Sequence, residues 1–143
     1  MDKKFYITTP IFYPNANLHL GHAYVTTLCD ILARYHRLVG DTTYFLTGSD
    51  ENTQKIIAPA QQQGMTPQEF LDEKVAAFVS LFGRLNISYD QFIRTTDQEK
   101  HWPGAIALWN KLVDAGDIYK KEYEGLYCVG HEAFITEKEL VDG

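Results

Sequence analysis

Two imidazoles flank a glycine in His19-Leu20-Gly21-His22, and the run Thr8-Thr9-Pro10-Ile11-Phe12-Tyr13-Pro14-Asn15 leads into them. Near a helix start, both imidazoles can donate hydrogen bonds to phosphate oxygens whose charge grows as an α-phosphorus is attacked. Gly21 lets a base or ribose approach the backbone closely. Such a site moves a nucleotidyl group by positioning and electrostatics, with no covalent intermediate. The same histidines also read as surface polar groups beside a turn, so the short pattern alone is weakly specific.

The flanking sequence must supply the elements that hold these groups. Phe5–Thr9 reads as a buried strand, and Pro10, Pro14, Asn15 and Asn17 force an irregular connection before a helix begins at His19-Leu20-Gly21-His22. In that helix Tyr24, Leu28, Ile31, Tyr35 and Leu38, widened by Val25, Leu32 and Val39, form the apolar face expected to pack inward, with Cys29 in the core and Gly40 as terminator. Thr42–Leu46 is a second strand. Its end, Thr47-Gly48-Ser49-Asp50-Glu51, is expected to cap a helix from about Asn52 to Gln63 that stops at Gly64. Thr66-Pro67-Gln68-Glu69 combines a capping box with proline at the first helical position, followed by the stripe Leu71, Val75, Phe78, Phe82, Leu85.

Phe92–Arg94 predicts a short third strand, and Thr96 with Glu99 a capped helix to Ala115, kinked at Pro103-Gly104 and ended by Gly116. The order is that of a parallel α/β sheet covered by helices, in which ligands bind beyond the carboxyl ends of the strands. A boundary is placed at residue 116. Beyond it, residues 117–122 and 125–129 read as arms of a hairpin around Tyr123-Glu124, and Thr136 to Glu139 as a further capping box.

Composition narrows the function class. The 143 residues are 45% hydrophobic and 22% charged, enough to bury a core, and no run approaches the roughly 18–20 apolar residues of a membrane span. Two cysteines, Cys29 and Cys128, cannot build a disulfide framework, and the N-terminus shows no apolar leader, so a cytoplasmic location is expected. A net charge of −6 argues against this stretch alone gripping a long polyanion.

The Thr8–Asn15 run followed by His19-Leu20-Gly21-His22-Ala23-Tyr24 closely resembles the signature of methionyl-tRNA synthetases, a class I family. Ala33-Arg34-Tyr35-His36-Arg37, Phe45-Leu46-Thr47-Gly48-Ser49-Asp50-Glu51, Phe92-Ile93-Arg94-Thr95-Thr96 and Gly116-Asp117-Ile118-Tyr119 resemble it in the same order. The resemblance implies a Rossmann-like nucleotide-binding half-domain over residues 1–116 and the start of a connective insertion over 117–143. It implies ATP-dependent activation of methionine to methionyl-adenylate, with Mg2+ and release of pyrophosphate, then transfer to tRNA(Met) through regions mostly outside this stretch. His19 and His22 would contact ATP phosphates, Gly21 would lie against the nucleotide, Ile11 and Tyr13 would help form the methionine pocket, and Asp50 would hold the α-ammonium. The family's insertion often carries a zinc knuckle of paired Cys-x-x-Cys units. Here the first unit reads Cys128-Val129-Gly130-His131, two of the four Zn2+ ligands a structural site needs.

Two departures stand out. Glu51-Asn52-Thr53 replaces the family's usual Glu-His-Gly, and no Lys-Met-Ser-Lys-Ser string is present, so the stretch reads as the first half of a catalytic domain, inactive alone. Two other readings stay open: a standalone nucleotidyltransferase with the same histidine pattern, and a non-catalytic fragment that retains the fold and ATP affinity.

Overall fold

The computed structural model describes residues 3–52, 54–128, 130–136 and 139–140. Thr53 and Val129, within stretches singled out above, lie outside them, as do Glu137 and Lys138 inside the last capping box. The chain divides into two compact units, Met1–Ile106 and Ala107–Gly143, with the division inside a helix.

In the first unit, strands β1 (Lys4–Thr8), β2 (Thr42–Ser49) and β3 (Gln91–Arg94) form a parallel sheet in the order β1-β2-β3. β2 runs three residues past Leu46 because Gly48 allows close pairing. A Cβ there would sit 2.1 Å from the Ile93 carbonyl oxygen. Between β1 and β2 lies α1 (Leu20–Leu38), closed by Gly40 at φ +88°.

The packed face of α1 is largely the reverse of the one its pattern suggests, although Val25 packs against the Phe12, Phe78 and Phe82 cluster and Cys29 is buried as expected. Thr26, Cys29, Asp30 and Ala33 are buried, whereas Tyr24, Leu28, Ile31, Leu32, Tyr35, Leu38 and Val39 are exposed. Both faces repeat at helical spacing, and periodicity does not say which one meets the sheet. The smaller side chains win because they let the helix axis approach the strands: Cys29 and Ala33 pack against Phe45 and Ile7, and the Cys29 thiol reaches the Thr8 carbonyl at 3.7 Å. Burial pushes that thiol's pKa up. Asp30, buried on the same face, accepts from the Ser88 N–H at 2.7 Å and from Arg34 at 2.6 Å, tying α1 to the turn before β3.

The helix expected over 52–63 is shorter and differently capped. A 3-10 turn, Gln54–Ile56, leads into α2 (Ile57–Gln62), whose N-cap Ile56 offers no side-chain bond. Ser49 and Glu51 are buried and bond each other instead, and the Asp50 carboxylate accepts the Asn52 N–H at 3.3 Å in a local turn. α3 (Pro67–Arg84) starts as its sequence predicts. Thr66 Oγ1 accepts from Glu69 N–H, the Glu69 carboxylate accepts from Thr66 N–H, and Leu71, Val75, Phe78 and Phe82 are buried. Leu85 falls just past the helix end and is exposed, while Phe70, outside the expected stripe, is buried.

Helix α4 (Trp102–Asp114) begins late enough that Pro103 lies in its first turn and kinks nothing. Thr96 and Glu99 do not cap it. Asp97 does the local turn work, accepting from the N–H groups of Glu99 and Lys100 at 2.9 and 2.8 Å, while Thr96 turns to Glu51. Those backbone bonds, Lys100 first, hold the Asp97 carboxyl below its usual range. In the second unit the hairpin pairs β4 (Leu126–Cys128) with β5 (Ala133–Ile135), and residues 117–125 form no strand. Thr136 N–H and Oγ1 donate to the Glu139 carboxylate at 2.7 and 2.8 Å.

Candidate functional site

His19 is the N-cap of α1, a position normally taken by a short oxygen-bearing side chain. Its ring serves because Nδ1 accepts the Gly21 N–H at 3.1 Å, and His22 returns the arrangement, its Nδ1 accepting the His19 N–H at 3.1 Å. Two of the four N–H groups left over at a helix start are thus satisfied by imidazoles. A neutral ring that accepts at Nδ1 carries its proton on Nε2. Each ring is therefore held in the tautomer that presents an N–H donor on its far edge.

The two ring centroids lie 3.9 Å apart, and Phe12, buried at 7% exposure, sets its ring edge-on to His22 at 4.8 Å. Burial first, and the cost of charging a ring beside His19 second, lower the His22 pKa from its ordinary value, which favours the neutral ring that accepts at Nδ1. Gly21 has a structural duty besides any contact with a ligand. A Cβ there would lie 2.9 Å from His19 Cε1 and 3.0 Å from its Nδ1, so any larger residue pushes the capping ring away.

The connection after β1 does not hang loose over the sheet. Phe12 N–H donates to the Gly48 carbonyl at 3.1 Å and Asp50 N–H donates to the Phe12 carbonyl at 2.9 Å, making an isolated parallel bridge with the end of β2. Period-two alternation then buries Phe12 and leaves Ile11 and Tyr13 outward, both more than 40% exposed. Ile11, Tyr13, His19 and His22 line one cleft of about 330 Å3, with Phe12 at its back. The sequence-predicted phosphate and side-chain contacts are thereby brought together. Lys55 lies 6.0 Å over the Tyr13 ring. Gly21 and Asp50 do not line this cleft; Asp50 touches it through the backbone bond to Phe12 and stands half-buried at the sheet rim.

Sequence reasoning about the site missed what surrounds Asp50. Glu51, fully buried in its side chain, accepts from Ser49 Oγ at 2.6 Å, from Arg94 Nε at 2.7 Å and Nη2 at 3.0 Å, and from Thr96 Oγ1. Arg94 also pairs with Asp72 of α3 at 2.7 Å, and it draws the Asp72 carboxyl below its usual range. Beneath them the buried hydroxyls of Thr9 and Thr47 meet at 2.7 Å. The available signal was an arginine directly after the apolar pair Phe92-Ile93 of a short strand, a position that favours a carboxylate partner.

In the second unit Cys128 Sγ lies 3.2 Å from His131 Nδ1. Among the described residues no three of His, Cys, Asp or Glu are grouped to hold a metal, and Cys128 and His131 supply two of the four donors a structural zinc site uses.

Comparison with known proteins places the chain in a family. Over 141 residues the chain is 52% identical to the methionine–tRNA ligase of Clostridium perfringens and 50% identical to methionine–tRNA ligase 1 of Bacillus cereus, covering 99% of this chain but 22% and 21% of those proteins. The chain thus spans about a fifth of the length of these relatives. Mycobacterium tuberculosis methionyl-tRNA synthetase in complex with methionyl-adenylate superposes with a TM-score of 0.90 at 42% identity, covering 99% of this chain and 28% of that one. Its likeness makes the sheet and helices the Rossmann-like N-terminal catalytic portion of that fold. Since the model of the class I tRNA synthetases (M) matches residues 5–143, nearly the whole chain, the chain belongs to that family.

Proposed function

We propose that this chain carries the first phosphate-contacting site and part of the amino-acid site of an enzyme that joins methionine to ATP. Methionyl-adenylate forms, pyrophosphate leaves, and the methionyl group passes to the terminal ribose of tRNA(Met). The observation that carries the reading is the reciprocal imidazole cap, which leaves two fixed Nε2–H donors beside an open cleft. As the methionine carboxylate oxygen attacks the α-phosphorus, charge builds on the phosphate oxygens. Donors already oriented in the ground state stabilise it without reorganising. Gly21, with no side chain, leaves the backbone of the first turn open to the nucleotide. Ile11 and Tyr13 give the thioether an aliphatic and aromatic lining, and Asp50 holds the α-ammonium.

Mg2+ enters with ATP as part of the substrate, bound through its phosphates. The 143 residues hold no Lys-Met-Ser-Lys-Ser string, so the pyrophosphate end of the transition state is stabilised by another segment of the enzyme. No helix among the described residues is long and apolar enough to cross a membrane. A cytoplasmic location goes with the tRNA-charging reading.

Methionine-dependent exchange of labelled pyrophosphate into ATP, measured on the product of the complete reading frame, tests the reading. Exchange driven by leucine instead of methionine rejects it. His19→Ala and His22→Ala should each slow exchange about 10- to 1,000-fold. Asp50→Asn should weaken methionine binding by about 1.5–3 kcal/mol, the scale of a charge-assisted hydrogen bond, with ATP binding unchanged.

A further inference from the structure

We propose that Glu51 is a positioning residue for Asp50, holding that carboxylate at the sheet rim through the ion pair its buried side chain makes with Arg94; the inference rests on the reading that Asp50 receives the substrate ammonium. Side chains alternate across an extended segment, so with Ser49 and Glu51 turned inward and fully buried, Asp50 is turned to the other side. Its backbone is pinned on both flanks: Ser49 accepts the Thr95 N–H at 3.2 Å, Asp50 donates to Phe12, and the Glu51 N–H donates to Thr95 Oγ1 at 2.8 Å. The Glu51 carboxylate anchors the far end of this segment with four hydrogen bonds, two of them from one guanidinium.

Such a pair is a poor device for stability alone, because desolvating the fully buried Glu51 carboxylate and the half-buried Arg94 offsets much of their attraction. What it does well is fix direction, since a bidentate guanidinium admits one orientation of the carboxylate. Arg94, which also pairs with the exposed Asp72, holds Glu51 on its own side of the segment, so Asp50 is the carboxylate left facing the other side. Displacing a binding group by about 1 Å can cost on the order of 100-fold, so loosening Glu51 should be felt at the ammonium.

The test uses the product of the complete reading frame and pyrophosphate exchange, with Asp50→Asn, Glu51→Gln and the double variant measured in parallel. Glu51→Gln should raise the methionine KM about 5- to 50-fold, leave the ATP KM within about 2-fold, and add less than about 2-fold in the Asp50→Asn background. An unchanged methionine KM in Glu51→Gln while Asp50→Asn raises it overturns the proposal, as does full multiplication of the two effects. An unchanged methionine KM in Asp50→Asn overturns the ammonium reading itself, a separate outcome. If Glu51→Gln does not fold, Thr96→Val removes one donor and keeps the ion pair. It should raise the methionine KM about 2- to 5-fold only when Asp50 is present, and no rise overturns the proposal.

Discussion

Replacing Gly21 with alanine sets two ordinary effects against each other and leaves a third to be read. Glycine to alanine in the first turn of α1 favours the helix by about 0.5–1 kcal/mol. The new Cβ meets His19 at 2.9–3.0 Å, so the ring must swing out and its bond to the residue-21 N–H is lost. Losing a side-chain cap costs about 0.5–2 kcal/mol. The net change in stability is under about 1.5 kcal/mol, and at about 4 °C per kcal/mol for a domain of this size the midpoint moves by less than about 6 °C. Exchange activity, by contrast, should fall about 10- to 1,000-fold, because a displaced imidazole no longer aims its Nε2–H at the phosphate. Thermal melts and pyrophosphate exchange on the same preparation measure both. The decisive comparison is Gly21→Ala made in a His19→Ala background. If the glycine acts through the ring, the second substitution adds almost nothing. Full additivity would show that the alanine methyl obstructs the nucleotide directly, and the argument from the cap would be wrong.

Three more outcomes follow from the same geometry. Because His22 titrates below its ordinary 6.5, the unfolded chain binds more protons than the folded one between the lowered value and 6.5; stability is fully present above that window and declines as the pH falls through it. Melts of wild type and His22→Asn from pH 7.5 to 5 should diverge there, and parallel curves would refute the assignment. Gly48→Ala places a methyl within 2.1 Å of the Ile93 carbonyl, parting β2 from β3 at the cost of about 3 kcal/mol or more; an unshifted denaturation midpoint would mean the strands yield without strain. The 143-residue chain by itself, with Tyr24, Ile31, Tyr35 and Leu38 exposed on α1, should self-associate and show no exchange, and light scattering that finds a monomer would contradict it.

Where a local rule decides an outcome, the sequence was readable. Thr66, Pro67 and Glu69 start α3, Gly40 ends α1, and the order of strands and helices gives the parallel sheet, because each depends on residues a few positions apart. The histidine pair stood out in the sequence, and the structure sets both rings on one cleft, but their reciprocal capping was not legible, since histidine is no usual N-cap. What failed depended on partners distant in the chain. The inner face of α1 is chosen by the sheet it meets. Ser49 and Glu51 were read as helix caps because they stand before a helical pattern, whereas Arg94 and Thr96, more than forty residues on, claim Glu51. The hairpin arm expected over 117–122 failed differently, since β4 finds its partner at 133–135 on its other side.

The bridge between Phe12 and the end of β2 bears on how binding would be driven. A loop ordered only by its ligand charges roughly 1–2 kcal/mol per residue in lost backbone freedom against the affinity. Here the floor of the cleft is tied to the sheet by the Phe12 and Asp50 amides, so that ordering is completed during folding. Ligand capture should then resemble docking onto a rigid plate, with a small entropic penalty. Those two amides become built-in reporters: their hydrogen exchange should be as slow as that of the central strand before any ligand arrives, and should change little when one does.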